Sequence, residues 1–155
     1  MGVYVAQMAL VEKVLTEALA IALRVDNEIS AAILHQFRNV SDRIDVVQDV
    51  LTKASLGTMA ANNLLSLIPK LRATNKTRNE LAHGIYLQRG FEGEVLVRTW
   101  ASQKRPSREI EVTAAYLDEQ LTVVEKLLSD LSWIKHHPNE PLRKTSPLLP
   151  KMGRP

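Results

Sequence analysis

Apolar positions recur at helical spacing along most of the chain. Between Val3 and Leu23 the residues Met8, Val11, Val14, Leu15, Ala18, Leu19 and Ala22 make one broad face, with Glu12, Lys13 and Glu17 on its wet side. Asp26-Asn27 interrupts that pattern, and Ile29 to Phe37 reads as a short helix or a packed connection. Ser41, followed by Asp42, has the chemistry of an N-cap, because a short side-chain oxygen can accept from the first free peptide N–H groups. It opens a helix with the stripe Ile44, Val47, Leu51 and Ala54, and Gly57 is placed to stop it. A third helical region starts near Thr58. Pro69 lacks a donor and predicts a kink or a division into Met59–Ile68 and Lys70–His83, while Gly84 stands where a C′ glycine ends a helix.

The period then changes. Ile85 to Gln88 and Glu94 to Trp100 read as two strands around the turn 89–93, and Glu109 to Thr113 as a third, after a basic loop with Lys104, Arg105, Pro106 and Arg108. From Ala114 to Ile134 the seam Leu117, Leu121, Val124, Leu128 and Leu131 returns to three-and-four spacing. The expected fold is therefore all-α, or α with minor β. It is a four- to five-helix bundle over residues 1–134, with a β-hairpin or three-strand insertion at about 85–113 before the last helix. Residues 138–155 hold five of the seven prolines, so 135–155 reads as a basic, flexible tail.

Composition narrows the chemistry. A chain of 155 residues, 45% apolar and 24% charged, is one soluble domain's worth with room for a core. The absence of cysteine removes disulfides, thiolate zinc sites and a thiol nucleophile. The start lacks a signal-peptide pattern, and the nearly apolar run Ala18–Leu23 is far too short to span a bilayer, so the expectation is a cytoplasmic protein without a membrane partner. The net charge of +3 is unevenly placed: Lys135, Arg143, Lys144, Lys151 and Arg154 against Glu140 give the tail +4, leaving −1 for residues 1–134. A nearly neutral body argues against a broad basic groove that binds any nucleic acid by counterion release, so a nucleic-acid contact is expected to be local. No internal repeat is visible, and no glycine pattern suits a phosphate-cradling loop, which leaves no cofactor to expect.

The candidate chemistry lies on the third helical region. Its core stripe runs Leu64, Ile68, Leu71, then Asn75, Arg78 and Ala82, turning polar where it should meet neighbouring helices. A buried guanidinium needs a partner, a solvent pocket or an interface, and a local inconsistency of that kind marks a site. Asn79 and His83, four residues apart, are separated by roughly 40° around the helix, whereas Arg78 and His83 are roughly 140° apart. Arg78 can hold a phosphate by a fork of hydrogen bonds and His83 can move a proton near neutral pH, with Asn79 orienting the imidazole or the ligand. Together they suffice for cleavage of RNA without a metal, the substrate's own 2′-hydroxyl acting as nucleophile. Lys76, Arg72 and Lys70 are candidate phosphate contacts beside them, though a solvated face is the plainer account of them.

Plainer readings stand beside these. Arg78 pairs with a carboxylate such as Asp45 or Glu80, and His83 caps the helix end. Arg43 and Asp45 make an exposed ion pair or a second polar layer near the motif. His136-His137 has no further ligand at metal spacing and belongs to the tail, so no metal site is expected. His35 reads as a satisfied core residue, and Trp100 and Trp133 as packing anchors.

The run Arg78-Asn79-Glu80-Leu81-Ala82-His83-Gly84 resembles the signature of the HEPN superfamily of helical nucleotide- and RNA-binding domains. Its continuation through Ile85-Tyr86 is similar to a bacterial and phage-borne branch with a hairpin after the motif, and the likeness of layout extends from about Val3 to Ile134. The resemblance implies a helical bundle, a homodimer in which paired Arg-His motifs share one cleft, catalytic Arg78 and His83 with Asn79 in support, and RNA as ligand. It also implies a toxin–antitoxin or phage-defence setting, with an antitoxin or other protein as partner. Two other functions remain open: a non-catalytic homodimeric interaction module whose tail recruits a partner, and a nucleotide-binding regulator using Arg78 and Lys76.

Overall fold

A computed structural model describes residues 2–54, 58–89, 94–99 and 106–142. The fold is all-α with a small β insertion. Helices α1 (Gly2–Leu23), α2 (Asn27–His35), α3 (Val40–Ala54) and α4 (Met59–His83) precede strands β1 (Ile85–Arg89), β2 (Glu94–Arg98) and β3 (Glu109–Glu111), and α5 (Ala114–His136) closes the chain. Helix α1 packs on α3, α4 and α5, α4 packs between α3 and α5, and α2 lies on α1. The core these helices share includes Leu19 and Leu67, neither of which has measurable exposure, with Ile44, Leu51, Val124 and Leu127 around them. Leu19, Ile44, Leu51 and Val124 fall on the stripes read from the sequence, because only one face of each helix can reach the bundle axis, while Leu67 and Leu127 are core positions those stripes did not include.

Helix ends show where local chemistry prevails. Arg24 (φ 55°) takes the left-handed conformation after α1, and the Val25 N–H donates to the Ala20 carbonyl at 3.1 Å, the closure of a Schellman turn. The cap of α3 is Asn39, not Ser41. Asn39 Oδ1 accepts from the Asp42 N–H at 2.8 Å, and its Nδ2 donates to the Asp42 carboxylate at 2.7 Å. A side chain offering both an acceptor and a donor satisfies helix and acid together, which a serine three residues from no acid cannot do. Asn39→Ala is expected to cost about 1 kcal/mol, read as a lower urea midpoint at unchanged slope; an unmoved midpoint would remove the cap assignment.

Helix α4 is continuous through Pro69, a correction to the expected division. Thr58 caps it, its hydroxyl accepting from the Ala61 N–H. Pro69 is exposed, so the helix loses one hydrogen bond on its solvent side while its inner face stays packed through Leu67, Ile68 and Leu71. The sheet follows α4 directly, antiparallel in the order β1-β2-β3. Val97 pairs with Tyr86 on one side and Ile110 on the other, and its side chain is fully buried. The turn at 90–93 and the basic positions Lys104 and Arg105, with Trp100, lie outside the described residues, as do Gly57 and residues 143–155. The first part of the Pro-rich segment is held to the bundle. Asn63 Nδ2 donates to the Glu140 carbonyl at 2.8 Å, Trp133 Nε1 to the Pro141 carbonyl at 3.3 Å, and Leu142 packs against the core.

Candidate functional site

The last three turns of α4 open onto a groove of ≈ 1090 Å3. Arg72, Lys76, Arg78, Asn79 and His83 line it from α4; Arg38, Asn39, Ser41 and Arg43 form the facing wall; and Thr99, Pro106 and Arg108 close the end under the sheet. Arg72, Lys76, Asn79 and His83 follow one another at four, three and four residues, so they share one stripe of the helix.

The polar turn of α4 has the expected location with one change of detail. Asn75 is 3% exposed, Arg78 is partly buried, and the core side of the last turn is Leu81 (1% exposed), while Ala82 faces outward. The motif's end is fixed from below. Gly84 has φ −72° and ψ 158°, so it is not the left-handed C′ glycine that the sequence suggested. It is glycine because a Cβ there would lie 2.2 Å from Val97 Cγ1 and 2.6 Å from the Glu80 carbonyl oxygen. The Gly84 N–H closes the helix on Glu80 at 3.0 Å, and the Tyr86 hydroxyl donates to the Leu81 carbonyl. His83, exposed at the last helical position, thus stands on a turn pinned by β1 and β2.

Ion pairing sorts the groove's cations. Arg43 Nη1 bonds Glu12 at 2.8 Å while its Nε donates to the Phe37 carbonyl at 3.1 Å. Arg72 bonds Asp45 at 2.5 Å and Gln48 at 2.7 Å. Glu80 takes Arg108 and, at 4.0 Å, Lys76. The two carboxylates that could have neutralised Arg78 are therefore engaged elsewhere, and Arg43 and Asp45 do not pair with each other. Among the described residues Arg78 takes part in no ion pair; its guanidinium donates to Asn79 Oδ1 at 2.8 Å. Asn79 thus orients the arginine. A positive group that lines an open groove without a counter-ion is suited to an anionic ligand. The Tyr116 hydroxyl, within the field of Glu80 and Arg108, is pushed above the usual phenol range by burial first and then by the charge of Glu80, with Arg108 pulling the other way, so it stays protonated at neutral pH.

Not every candidate gathers here. Lys70 is turned to the α5 side, 3.8 Å from the buried carboxylate of Asp130, because a residue two before Arg72 lies about 200° around the helix, on the opposite flank. His35 is exposed at the end of α2, a correction to its expected burial. His137 stacks on Trp133, ring centroids 3.5 Å apart, and among the described residues no group of three or more His, Cys, Asp or Glu is placed to hold a metal ion. Among the described residues no helix is long and apolar enough to cross a membrane. Sequence reasoning missed Arg38, Asn39 and Ser41, which reach the groove through the α2–α3 connection, and Arg108, which it placed in a basic loop without a destination. Nothing in a single chain's periodicity signals which loop faces which helix. Comparisons with protein-family models, with curated proteins and with solved structures found no match to this chain.

Proposed function

We propose that the groove is an RNA-directed site of HEPN type, in which Arg78 and His83 act on a phosphodiester. The observation that carries this reading is the partly buried Arg78 guanidinium, held by Asn79 beside the groove that His83 also lines, with the neighbouring carboxylates engaged by other cations. Arg78 binds a phosphate and offsets the charge that develops on it; His83 takes the proton of the 2′-hydroxyl or returns one to the leaving oxygen. The substrate supplies the nucleophile, so these two side chains and Asn79 provide the required chemistry without a metal. Lys76, Arg72 and Arg108 surround the phosphate at the cost of weakening their ion pairs, of which Arg72–Asp45 is exposed on both sides and worth little in water. The roughly 140° between Arg78 and His83 on an ideal helix favours a cleft completed by a second copy of the chain, each protomer giving one Arg-His motif. The toxin–antitoxin or phage-defence setting is carried by the family resemblance.

Incubation of the purified protein with single-stranded RNA in EDTA tests the reading. Cleavage that persists in EDTA is the expected result. Absence of cleavage and of RNA binding at every protein concentration, with loss of stability or of dimer in Arg78→Ala and His83→Ala, would assign the cleft to structure.

A further inference from the structure

Two groove cations, Arg78 and Arg38, take part in no ion pair among the described residues, and they stand on different elements. Arg38 is exposed and immediately precedes Asn39, the cap of α3, so it sits at the amino end of a 15-residue helix. Asn39, Val40 and Ser41 carry that helix end to the groove. The Asn39 side chain satisfies the Asp42 N–H, which leaves the first peptide donors of α3 and the positive end of its dipole beside Arg38. Asp42 shares this turn and opposes an anion there, but its carboxylate is engaged by Asn39 Nδ2 at 2.7 Å and does not line the groove.

An independent observation comes from α4. Asn75, 3% exposed, lines the same groove and donates from Nδ2 to the Ser41 hydroxyl at 3.0 Å. Its Oδ1 is buried and has no hydrogen-bond partner among the described residues. A buried amide oxygen is unfavourable without a donor, and the Nδ2 of the same side chain reaches the start of α3 at Ser41. Phosphate cannot satisfy it, because a phosphodiester has no donor. A sugar hydroxyl can, directly or through one water.

We infer that Arg38 and the amino end of α3 form a second phosphate subsite beside Arg78 and His83, and that Asn75 accepts a hydrogen bond from the 2′-hydroxyl of the nucleotide spanning the two. The inference rests on the RNA-directed reading and deepens it. The ligand is a single-stranded ribonucleotide segment with at least two adjacent phosphates, and the groove distinguishes it from the deoxy form by one hydroxyl.

Fluorescence anisotropy of a labelled single-stranded RNA and the DNA of the same sequence tests this, in EDTA, with the full chain carrying His83→Ala so that RNA stays intact. Adding Arg38→Ala is expected to weaken RNA binding about tenfold and to reduce the slope of log affinity against log salt by about one contact, with Arg38→Lys keeping most of that slope. Unmodified RNA is expected to bind about tenfold tighter than the DNA, and about tenfold tighter than RNA carrying a single 2′-deoxy position at the subsite. Arg38 is exposed, so its variants should melt with the parent protein. RNA bound equally with and without Arg38 overturns the second subsite while leaving the proposed function standing, and equal binding of RNA and DNA overturns the role of Asn75. No RNA binding or cleavage by the wild-type chain overturns the proposed function and this inference with it.

Discussion

His83→Ala and Arg78→Ala are each expected to lower RNA cleavage in EDTA by roughly 10²-fold or more, the usual size of a lost general acid–base or charge-stabilising group. His83 is exposed at the end of α4, so its loss should barely change stability. Arg78 is partly buried, but the hydrogen bond that holds it is one it donates to Oδ1 of its neighbour Asn79. Removing Asn79 should therefore lower cleavage by less than removing Arg78, since the arginine keeps its charge and loses its orientation. His83→Ala and Arg78→Ala need not be additive, because groups acting on one phosphate work as a unit. Initial rates on a labelled single-stranded RNA, with thermal melts of each variant alongside, make the comparison. Equal rates for wild type and both variants would contradict the assignment.

Gly84→Ala is expected to be strongly damaging for so small a change, costing about 1–3 kcal/mol and up to several degrees of melting temperature. A methyl group there would meet Val97 Cγ1 at 2.2 Å and the Glu80 carbonyl oxygen at 2.6 Å, and neither can yield easily. Val97 is fully buried between β1 and β3, and the Glu80 carbonyl is the acceptor that closes α4. Relief must come from moving β2 away from the helix end, which also releases the turn that carries His83. The variant should thus lose activity as well as stability, whereas Gly→Ala in an unconstrained loop gains stability by restricting the unfolded chain. A melting temperature at or above that of the wild type would show that the helix–strand junction is not tight.

The helices and the small sheet were legible because each buries one face, and burial imposes a period that can be read in one dimension. The α5 seam through Val124 and Leu131 is such a case. Capping and close approach are less legible. Ser41 and Asn39 are both sound cap residues, and the choice depends on Asn39 reaching Asp42 with both ends of its amide. Gly84 was identified as the end of α4 for the wrong reason: its need is room for Val97, which lies 13 positions later and has no local signature. The site divides in the same way. Asn75 and Arg78 could be found because the α4 stripe turns polar where it should stay apolar, and Asn79 and His83 followed from their spacing to Arg78. Arg38 could not, because it reaches the groove only through the path of the α2–α3 connection. Lys70 was drawn in by proximity in sequence, although its azimuth carries it to Asp130.

The central claim is that RNA meets this protein in the groove between the end of α4 and the start of α3. Amide hydrogen exchange of the full chain carrying His83→Ala, with and without saturating single-stranded RNA, tests it most directly. The expected result is added protection confined to residues 38–43 and 72–84, strongest in the last turns of α4, with no change across the α1–α5 face near Lys135. Protection elsewhere, or none in these two segments at saturation, would contradict it.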